Sequence, residues 1–342
     1  MLGAMILSAV IFFFLDPGGL AQPIEQFSFS GRTMGTTYEV QIAGVGVTES
    51  EVQILQAMVD NELEAVNASM STYIPDSEIS IFNKTDAGLW IPLGSRFRSV
   101  LNRSDQINRL TNGAFDPTLG PLINLWGFGA QSGTEDLPTE SEIKSALQEM
   151  GFDQLEVGDQ GIRKNLQGLK INLSAIAKGY GVDRVAALLK AEGFDNIYVE
   201  IGGEVVCTGV NGKGIPWRIG IQVPSFDALE SYTKVVELSN AALATSGDYR
   251  NYSISESGLR HHILDPRTGR PASHTLASVS VITDDCMSAD AFATALFVMG
   301  TEEGFEWVKT QKGVEALFID RGENAFEFTF TDGFKQTLVT LP

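Results

Sequence analysis

Short runs rich in β-branched and aromatic residues recur through the second half of the chain, and they restrict the possible folds more than any other feature. The runs span residues 169–173, 197–201, 205–210, 217–223, 234–238, 276–283 and 316–320. Runs of this length and composition predict β-strands. Most of them follow one another after short turns, with the helices grouped elsewhere. The sequence therefore favours an α+β fold over a repeating βαβ unit.

Helix signals are equally clear. The predicted helices span residues 48–67, 95–110, 139–151, 174–193 and 288–299. Thr48 and Thr139 each begin a capping box, because a Glu follows three residues later. Ser174 is a predicted N-cap, and Gly300 is predicted to stop the last helix.

The charge balance limits the classes of partner. The chain has 342 residues, of which 43% are hydrophobic and 20% charged, and its formal net charge is -19. This composition is that of a folded protein with one large domain or two ordinary ones. Nucleic acid is not expected as a partner, because phosphate backbones are held by clustered Lys and Arg. A phosphorylated ligand would need a cation to bind to so acidic a protein.

The N-terminal segment reads as an export signal. Residues 1–15 are apolar and aromatic, and the break 17–19 is followed by a small-residue cleavage site after Ala21. The run is too short for a comfortable transmembrane helix, so residues 1–21 are predicted to be a signal peptide, with an uncleaved anchor as the alternative. The two cysteines, Cys207 and Cys286, are expected to be independent buried thiols.

Asp290 and Thr294 are the strongest pair of possible metal ligands. They are four residues apart on a predicted helix, so both side chains leave the same face. One interpretation is a hard-cation site with two oxygen ligands, which suits Mg²⁺. The other is a carboxylate that compensates the helix dipole and a hydroxyl that bonds back to its own helix. The spacing does not decide between them.

Three further segments carry chemistry or turns. His262 precedes the turn 265–269 and could act as a base, although an isolated histidine is more often packed or on the surface. Residues 245–249 supply hydroxyls and the carboxylate of Asp248, as a turn or as a polar binding loop. The glycines 202–203 fit a tight turn or the close approach of a planar ligand.

Taken together and in this order, the motifs resemble the ApbE-like flavin transferases, the FAD:protein FMN transferases. The resemblance runs from about Thr33 to Val339. It is carried by residues 34–38, 70–77, 113–118, 125–129, 174–183, 202–203, 245–249, 262–269 and 290–294. The resemblance implies one large two-lobed, T-fold-like α+β domain, residues 22–342, in which mixed or antiparallel sheets are flanked by helices.

The same resemblance implies the activity. Such proteins are exported or periplasmic, bind FAD with Mg²⁺, and transfer its FMN half to a Thr or Ser hydroxyl of an acceptor redox flavoprotein, releasing AMP. It implies that the metal is held by Asp290, Thr294 and the carbonyl of Ala175. FAD is expected against Met34, Tyr73, Ala114, Phe115, Asp116, Asn172, Lys178 and Leu264. His262 and Asp248 are equal candidates for the general base, and Arg267 is expected to form an ion pair that stabilises its turn.

Family members often carry Asp at the position of Asn172 and an acidic residue at that of Lys178, so these two contacts are departures from the family pattern. Two other activities fit the same residues. One is a Mg²⁺-dependent FAD pyrophosphatase, which gives FMN and AMP, and the other is a non-catalytic periplasmic flavin-binding protein. Attachment to the inner membrane, through the N-terminus or the acceptor, is a further expectation.

Overall fold

The computed structural model describes residues 10–12, 15–16, 19–20, 24–44, 46, 48–129, 137–222, 232–248, 252–255 and 258–339. Most of the predicted signal peptide, including its cleavage site, lies outside these ranges, as do Val223 of one predicted strand and Tyr249 of the predicted binding loop. Within the described ranges, no helix combines the length and the apolar character that crossing a membrane requires.

Among the described residues, six helices lie between residues 49 and 191, and two lie near the C-terminus. They are α1 (Glu49–Met70), α2 (Glu78–Lys84), α3 (Ser95–Leu110), α4 (Gly120–Leu125), α5 (Glu140–Gln148), α6 (Ala177–Ala191), α7 (Cys286–Thr310) and α8 (Asp332–Gln336). A single 3-10 turn covers Phe152–Gln154.

The strands are mostly short. They are β1 (Val10–Phe12), β2 (Leu15–Asp16), β3 (Gly19–Leu20), β4 (Ile24–Thr33), β5 (Thr36–Gly44), β6 (Leu155–Gly158), β7 (Gly161–Lys164), β8 (Ile197–Ile201), β9 (Glu204–Thr208), β10 (Trp217–Gln222), β11 (Tyr232–Leu238), β12 (Ala241–Gly247), β13 (Tyr252–Ser255), β14 (Gly258–His261), β15 (Leu264–Asp265), β16 (Arg270–Pro271), β17 (Leu276–Thr283), β18 (Glu315–Arg321), β19 (Phe326–Phe330) and β20 (Leu338–Val339).

One large sheet organises the described chain. Its strand order is β1-β4-β5-β8-β9-β12-β17-β18-β19, and every neighbouring pair is antiparallel. A smaller antiparallel sheet has the order β10-β11-β20. The prediction of an α+β fold with antiparallel sheets flanked by helices is therefore confirmed.

The large sheet is buried on both faces. In β18, Ala316 and Phe318 belong to one hydrophobic cluster, and Leu317 and Ile319 belong to another. Side chains alternate between the two faces of a strand, so the clusters lie on opposite sides of the sheet. Helices α1, α6 and α7 cover the first side, and the small sheet with α8 covers the second.

A third, smaller core lies beside the helical layer. Leu122, Trp126 and Ile143, from α4 and α5, pack with Leu264 of β15. The indole Nε1 of Trp126 donates a hydrogen bond to the Gly269 carbonyl at 2.8 Å. These contacts attach the β15–β16 hairpin to α4, and they place Leu264 and the preceding His262 beside the large sheet.

Helix starts with local caps follow the sequence closely. Both predicted capping boxes are present, and α3 has the predicted bounds. The prediction for Ser174 is wrong: α6 begins at Ala177, and Ile176 at its N-cap position makes no side-chain cap bond. Residues 169–173 also form no strand, only an isolated parallel bridge between Leu119 and Lys170.

Two other differences concern glycine. Gly300 has φ +76° and interrupts the helical geometry, but the chain resumes its helix and α7 continues to Thr310. The hairpin of β4 and β5 was not predicted. Its two turn residues, Met34 and Gly35, have φ of +49° and +75°, the pattern of a type I′ turn. A non-glycine residue with positive φ is uncommon and often marks a functional site.

Candidate functional site

A cleft of 460 Å³ opens where the helical layer meets the end of the large sheet. Its walls come from the β4–β5 turn, the segment before α4, the segment before α6, the start of β9, the end of β12, the segment before β15, and α7. The predicted site residues among those that line it are Met34, Ala114, Phe115, Asp116, Asn172, Ala175, Lys178, His262, Leu264, Asp290 and Thr294. The fold thus brings eleven of the thirteen predicted site residues to one cleft.

A second cavity of 830 Å³ adjoins the cleft and contains the twelfth, Tyr73. The Tyr73 side chain is highly exposed at its edge. The two cavities share residues, among them Met34, Asn172, Lys178 and His262. They therefore form one continuous space, with His262 at the junction.

Asp290 is a buried carboxylate with a partner on another helix. Its Oδ2 accepts a hydrogen bond from the Gly179 N–H of α6 at 3.0 Å, and its residue is 3% exposed. Because α7 begins at Cys286, Asp290 lies beyond the first turn, where the helix dipole acts most strongly. Compensation of the dipole of its own helix, α7, is thus a poor explanation for this carboxylate.

Thr294 lies one turn further along the same face of α7. Its hydroxyl oxygen is 3.3 Å from the hydroxyl of Ser246 on β12, and both residues line the cleft. Ala175, in the segment before α6, lines the same cleft. Helix α7, strand β12 and this segment therefore all contribute residues to one space.

These donors fit a hard cation such as Mg²⁺. A carboxylate, a hydroxyl and a carbonyl are all oxygen ligands, and Mg²⁺ is usually held by one or two carboxylates together with substrate phosphates and water. Within the described part of the chain, no three His, Cys, Asp or Glu side chains converge as a metal cluster. The oxygen set on Asp290, Thr294 and Ala175 is consequently suited to a cation that the ligand also helps to hold.

Lys178 is paired with carboxylates on the floor of the cleft. Its Nζ lies 2.6 Å from Oε1 of Glu204 and 3.6 Å from Oδ1 of Asp290. Burial acts to lower the pKa of Lys178, but the two carboxylates outweigh it and raise the pKa above its usual value. The ammonium group is thus charged at neutral pH and offsets part of the local negative charge.

Asp116 and Asn172, two of the residues predicted to contact FAD, form hydrogen bonds within their own loops. Oδ1 of Asp116 accepts hydrogen bonds from the N–H and the hydroxyl of Thr118. Burial raises the pKa of Asp116, and the bonds from Thr118 oppose that rise. Oδ1 of Asn172 accepts from the Ser174 N–H at 2.9 Å, so the turn that leads to Ala175 is held by a side chain of the cleft.

The two adjacent histidines have different surroundings. His262 lines the cleft, with its ring edge-to-face against Phe128 at 6.4 Å between centroids. His261 is buried, and its Nε2 lies 2.9 Å from the Ala272 carbonyl. Its ring packs edge-to-face on Phe297. Of the two, His262 is the one placed for chemistry.

Asp248 does not line the cleft, in contrast to its predicted role as a base. Its carboxylate is buried and forms two hydrogen bonds with the guanidinium of Arg321, at 2.5 and 2.9 Å. Both carboxylate oxygens are engaged by the guanidinium, so neither is directed at a ligand in the cleft. The ion pair lies directly after β12, whose residues Ser246 and Gly247 line the cleft.

The turn after His262 is held by its own ion pairs. Arg267 Nε lies 3.0 Å from Oδ1 of Asp265, and Arg267 Nη1 lies 3.0 Å from Oε1 of Glu303. The predicted ion pair of Arg267 is thus confirmed. Cys207 and Cys286 are free and buried, which confirms the prediction that they are independent buried thiols.

Two polar residues in contact with the predicted ligands were not themselves named as site residues, although Ser246 belongs to the predicted loop 245–249. Glu204 lies on the floor beside Lys178, and Ser246 faces Thr294. A signal for Glu204 exists in the sequence, because it is the one charged residue of β9, whose residues are all buried. For Ser246 the sequence offers only the polar loop 245–249, and its position opposite Thr294 depends on how β12 packs next to α7.

Comparison with known proteins agrees with this geometry. Residues 34–318 match the ApbE family. The chain is 40% identical to the FAD:protein FMN transferase of Vibrio cholerae, over 94% of this chain and 95% of that protein. It is 34% identical to the FAD:protein FMN transferase of Escherichia coli K12, over 91% and 88%.

Solved structures give the same result. The flavin transferase ApbE from Vibrio cholerae superimposes with a TM-score of 0.84 at 39% identity, covering 92% of this chain and all of that one. The apo form of the flavinyl transferase ApbE of Pseudomonas stutzeri gives a TM-score of 0.82 at 36% identity, covering 91% and 96%. This chain therefore belongs to the ApbE family.

Proposed function

We propose that this chain is a Mg²⁺-dependent FAD:protein FMN transferase. It transfers the FMN moiety of FAD to a Thr or Ser hydroxyl of an acceptor redox flavoprotein and releases AMP. The observation that carries the proposal is the arrangement of the cleft: the oxygen donors Ala175, Asp290 and Thr294 share one space with His262, which also borders the adjoining cavity. The similarity to proteins known as FAD:protein FMN transferases supports the same activity.

In this reaction, the acceptor hydroxyl oxygen attacks the flavin-side phosphorus of FAD. The bond from that phosphorus to the bridging oxygen breaks, and AMP leaves with the bridging oxygen and its electron pair. The proton of the hydroxyl passes to the imidazole of His262, which acts as the general base. Asp248 is not used in this step, because its carboxylate is bound by Arg321.

The residues around the pyrophosphate supply charge and position. Asp290, Thr294 and the Ala175 carbonyl would hold Mg²⁺, which when bound offsets phosphate charge and stabilises the transferring phosphoryl group. Lys178, whose Nζ lies 3.6 Å from Asp290 Oδ1, adds a positive charge next to the proposed cation site. This charge matters because a protein of net charge -19 would otherwise repel the ligand.

The flavin half is assigned to the part of the cleft that continues into the second cavity. Met34, Ala114 and Phe115 supply apolar surface there, and Tyr73 stands at the exposed edge. Asp116, Asn172 and Leu264 complete this set. Open space next to Tyr73 gives an acceptor protein access to the reacting phosphorus.

Location outside the cytoplasm is part of the proposal. This location is supported by the apolar segment of residues 1–15 and the small-residue site at Ala21. The proposal also includes a single catalytic domain over residues 22–342. Cell fractionation, followed by mass determination of the N-terminus, distinguishes a cleaved periplasmic protein from one that stays anchored to the inner membrane.

The test of function uses purified protein, FAD and Mg²⁺, with and without a periplasmic flavin-carrier domain. AMP is measured by chromatography and the acceptor by intact mass. A gain of one FMN on the acceptor, which is lost with EDTA and in Asp290→Asn, is the expected result. Equal rates of AMP and free FMN without acceptor would make the protein a pyrophosphatase, and neither product would make it a flavin-binding protein.

A further inference from the structure

The proposed cation ligands come from α7 and from the segment that leads into α6. The Ala175 carbonyl belongs to the segment that leads into α6, whereas Asp290 and Thr294 belong to α7. Affinity for a small cation with strict octahedral geometry depends on the separation of its ligands. Whatever fixes α6 against α7 therefore also fixes the site.

The two helices are joined by a reciprocal pair of carboxylate bonds. Asp290 of α7 accepts from the Gly179 N–H in the first turn of α6, at 3.0 Å. In the opposite direction, Asp183 of α6 accepts from the first turn of α7: Oδ1 from the Cys286 N–H and Oδ2 from the Met287 N–H, each at 2.8 Å. The carboxylate on each helix thus accepts hydrogen bonds from first-turn N–H groups of the other helix. In an isolated helix these N–H groups would have no partner.

The contact between the helices is also close. A Cβ atom at Gly179 would overlap the Cys286 carbonyl oxygen and would press on the Met287 Cα. Gly179 and Asp183 are four residues apart and so lie on one face of α6. Gly179, which lacks a side chain, and the carboxylate of Asp183 therefore both contact Cys286 and Met287 of α7.

We propose that Asp183 is a positioning residue, which holds the start of α7 against α6 and so sets the distance between the Ala175 carbonyl and the Asp290–Thr294 face. It touches neither substrate nor metal. The inference rests on the proposed function, because it assigns a role relative to the cation of that site.

The chain offers a matched control at the same helix end. Asp285 is the N-cap of α7, and its Oδ1 accepts from the Ser288 N–H at 2.8 Å. It carries the same charge as Asp183 but its N–H partner is in its own helix. Asn is as good an N-cap as Asp, so Asp285→Asn removes one charge near α7 and leaves the α6–α7 junction intact.

Asp183→Asn changes the junction itself. An amide has one acceptor oxygen, and its NH₂ group can only donate, so one of the two N–H groups of α7 would face another donor. Burial raises the pKa of Asp183 to about 7, and the two N–H bonds oppose that rise. The comparison is therefore made about one pH unit above that value, where the wild-type carboxylate is charged.

The readout is the coupling between Mg²⁺ and FAD, measured without turnover. The Kd of FAD is determined by quenching of flavin fluorescence, in EDTA and in saturating Mg²⁺, and their ratio is the coupling factor. We expect Asp183→Asn to reduce this factor about 10-fold, as is typical when a residue that orients a metal ligand is lost. Asp285→Asn is expected to stay within about 2-fold of wild type, and the Kd in EDTA is expected to be the same in all three proteins.

Each result is decisive. Wild-type coupling in folded Asp183→Asn overturns the positioning role, and so does an equal loss in Asp285→Asn, which would indicate a general effect of charge. If wild type itself shows no effect of Mg²⁺ on FAD, the metal assignment of the proposed function fails, and this inference fails with it. Should Asp183→Asn not fold, Asp183→Glu replaces it: the longer side chain displaces α7, so undiminished coupling there also overturns the role.

Discussion

Lys178 Nζ lies 2.6 Å from Oε1 of Glu204, and the carboxylate side chain of this pair is 3% exposed. Loss of one member of a buried ion pair is costly, because the other charge remains without compensation. Lys178→Met leaves both Glu204 and Asp290 without their cation. We expect the free energy of unfolding to fall by roughly 3 kcal/mol, measured by urea denaturation without metal.

The control for this prediction is the double variant Lys178→Met/Glu204→Gln. It removes the buried negative charge together with the positive one, so about half or more of the lost stability should return. If the double variant is as unstable as the sum of the two single variants, the pair does not interact, and Lys178 contributes through other contacts.

We predict that Asp248 stabilises the fold and does not act as the general base. Its partner Arg321 is likewise outside the set of cleft residues. Asp248→Asn and Arg321→Gln should therefore behave alike: each lowers the unfolding free energy by about 3 kcal/mol, and each keeps the wild-type dependence of kcat/KM on pH. Thermal denaturation and pH–rate profiles of both variants provide the measurement.

The comparison of the two variants separates support from catalysis. A base makes its contribution in the transition state, so its loss lowers kcat by about 10²–10⁴-fold. If Asp248→Asn loses that much while Arg321→Gln keeps its turnover, Asp248 is a base after all, and the ion pair seen here opens during the reaction.

The hydroxyl of Thr294 gives a sharp test of the cation site, because one substitution removes that group and another keeps it. Thr294→Val keeps the shape and removes the oxygen, whereas Thr294→Ser keeps the oxygen. One lost contact to a charged group costs roughly 1.5–3 kcal/mol, which corresponds to about 10- to 100-fold in affinity. We expect the Mg²⁺ concentration for half-maximal AMP release to rise by that factor in Thr294→Val and to change little in Thr294→Ser.

A different result would change the role of this residue. If Thr294→Val and Thr294→Ser need the same Mg²⁺ concentration as wild type, the hydroxyl does not bind the cation. Its contact with Ser246 would then be structural, and Thr294→Val should lose stability instead of metal affinity, whereas Thr294→Ser should keep the contact.

Features with local causes were predictable from the sequence. The helices that begin at Glu49 and Glu140 each have both members of a capping box within three residues, and the structure reproduces them. Strand runs such as 197–201 and 276–283 were found with their observed bounds, because their composition and burial agree. The family resemblance supplied the identity of most cleft residues.

The features that were missed depend on distant partners. The start of α6 was misplaced because the Gly179 N–H is capped by Asp290, 111 residues away in sequence. The ion pair of Asp248 with Arg321 also has no local signal, because the two residues are 73 positions apart in sequence. A positive-φ turn at Met34 was missed because methionine rarely occupies such a conformation, and only the pairing of β4 with β5 requires it there.

His261 provides a prediction about acid stability. Burial lowers its pKa below the ordinary value of 6.5, while the bond to the Ala272 carbonyl and the charge of Asp248 act in the opposite direction. A base with a depressed pKa in the folded state binds fewer protons there than in the unfolded chain. As pH falls below about 6.5, the unfolded chain takes up the proton first, so acidification through this range lowers the free energy of unfolding.

His261→Gln isolates this contribution, because an amide can still donate to the Ala272 carbonyl and does not titrate. We expect the difference in unfolding free energy between wild type and His261→Gln to be constant above about pH 7.5 and to shift against wild type as pH falls below 6.5. Urea denaturation across this range measures it. A difference that does not vary with pH would mean that His261 has the same pKa in the folded and unfolded states, and that its burial does not penalise the charged imidazole.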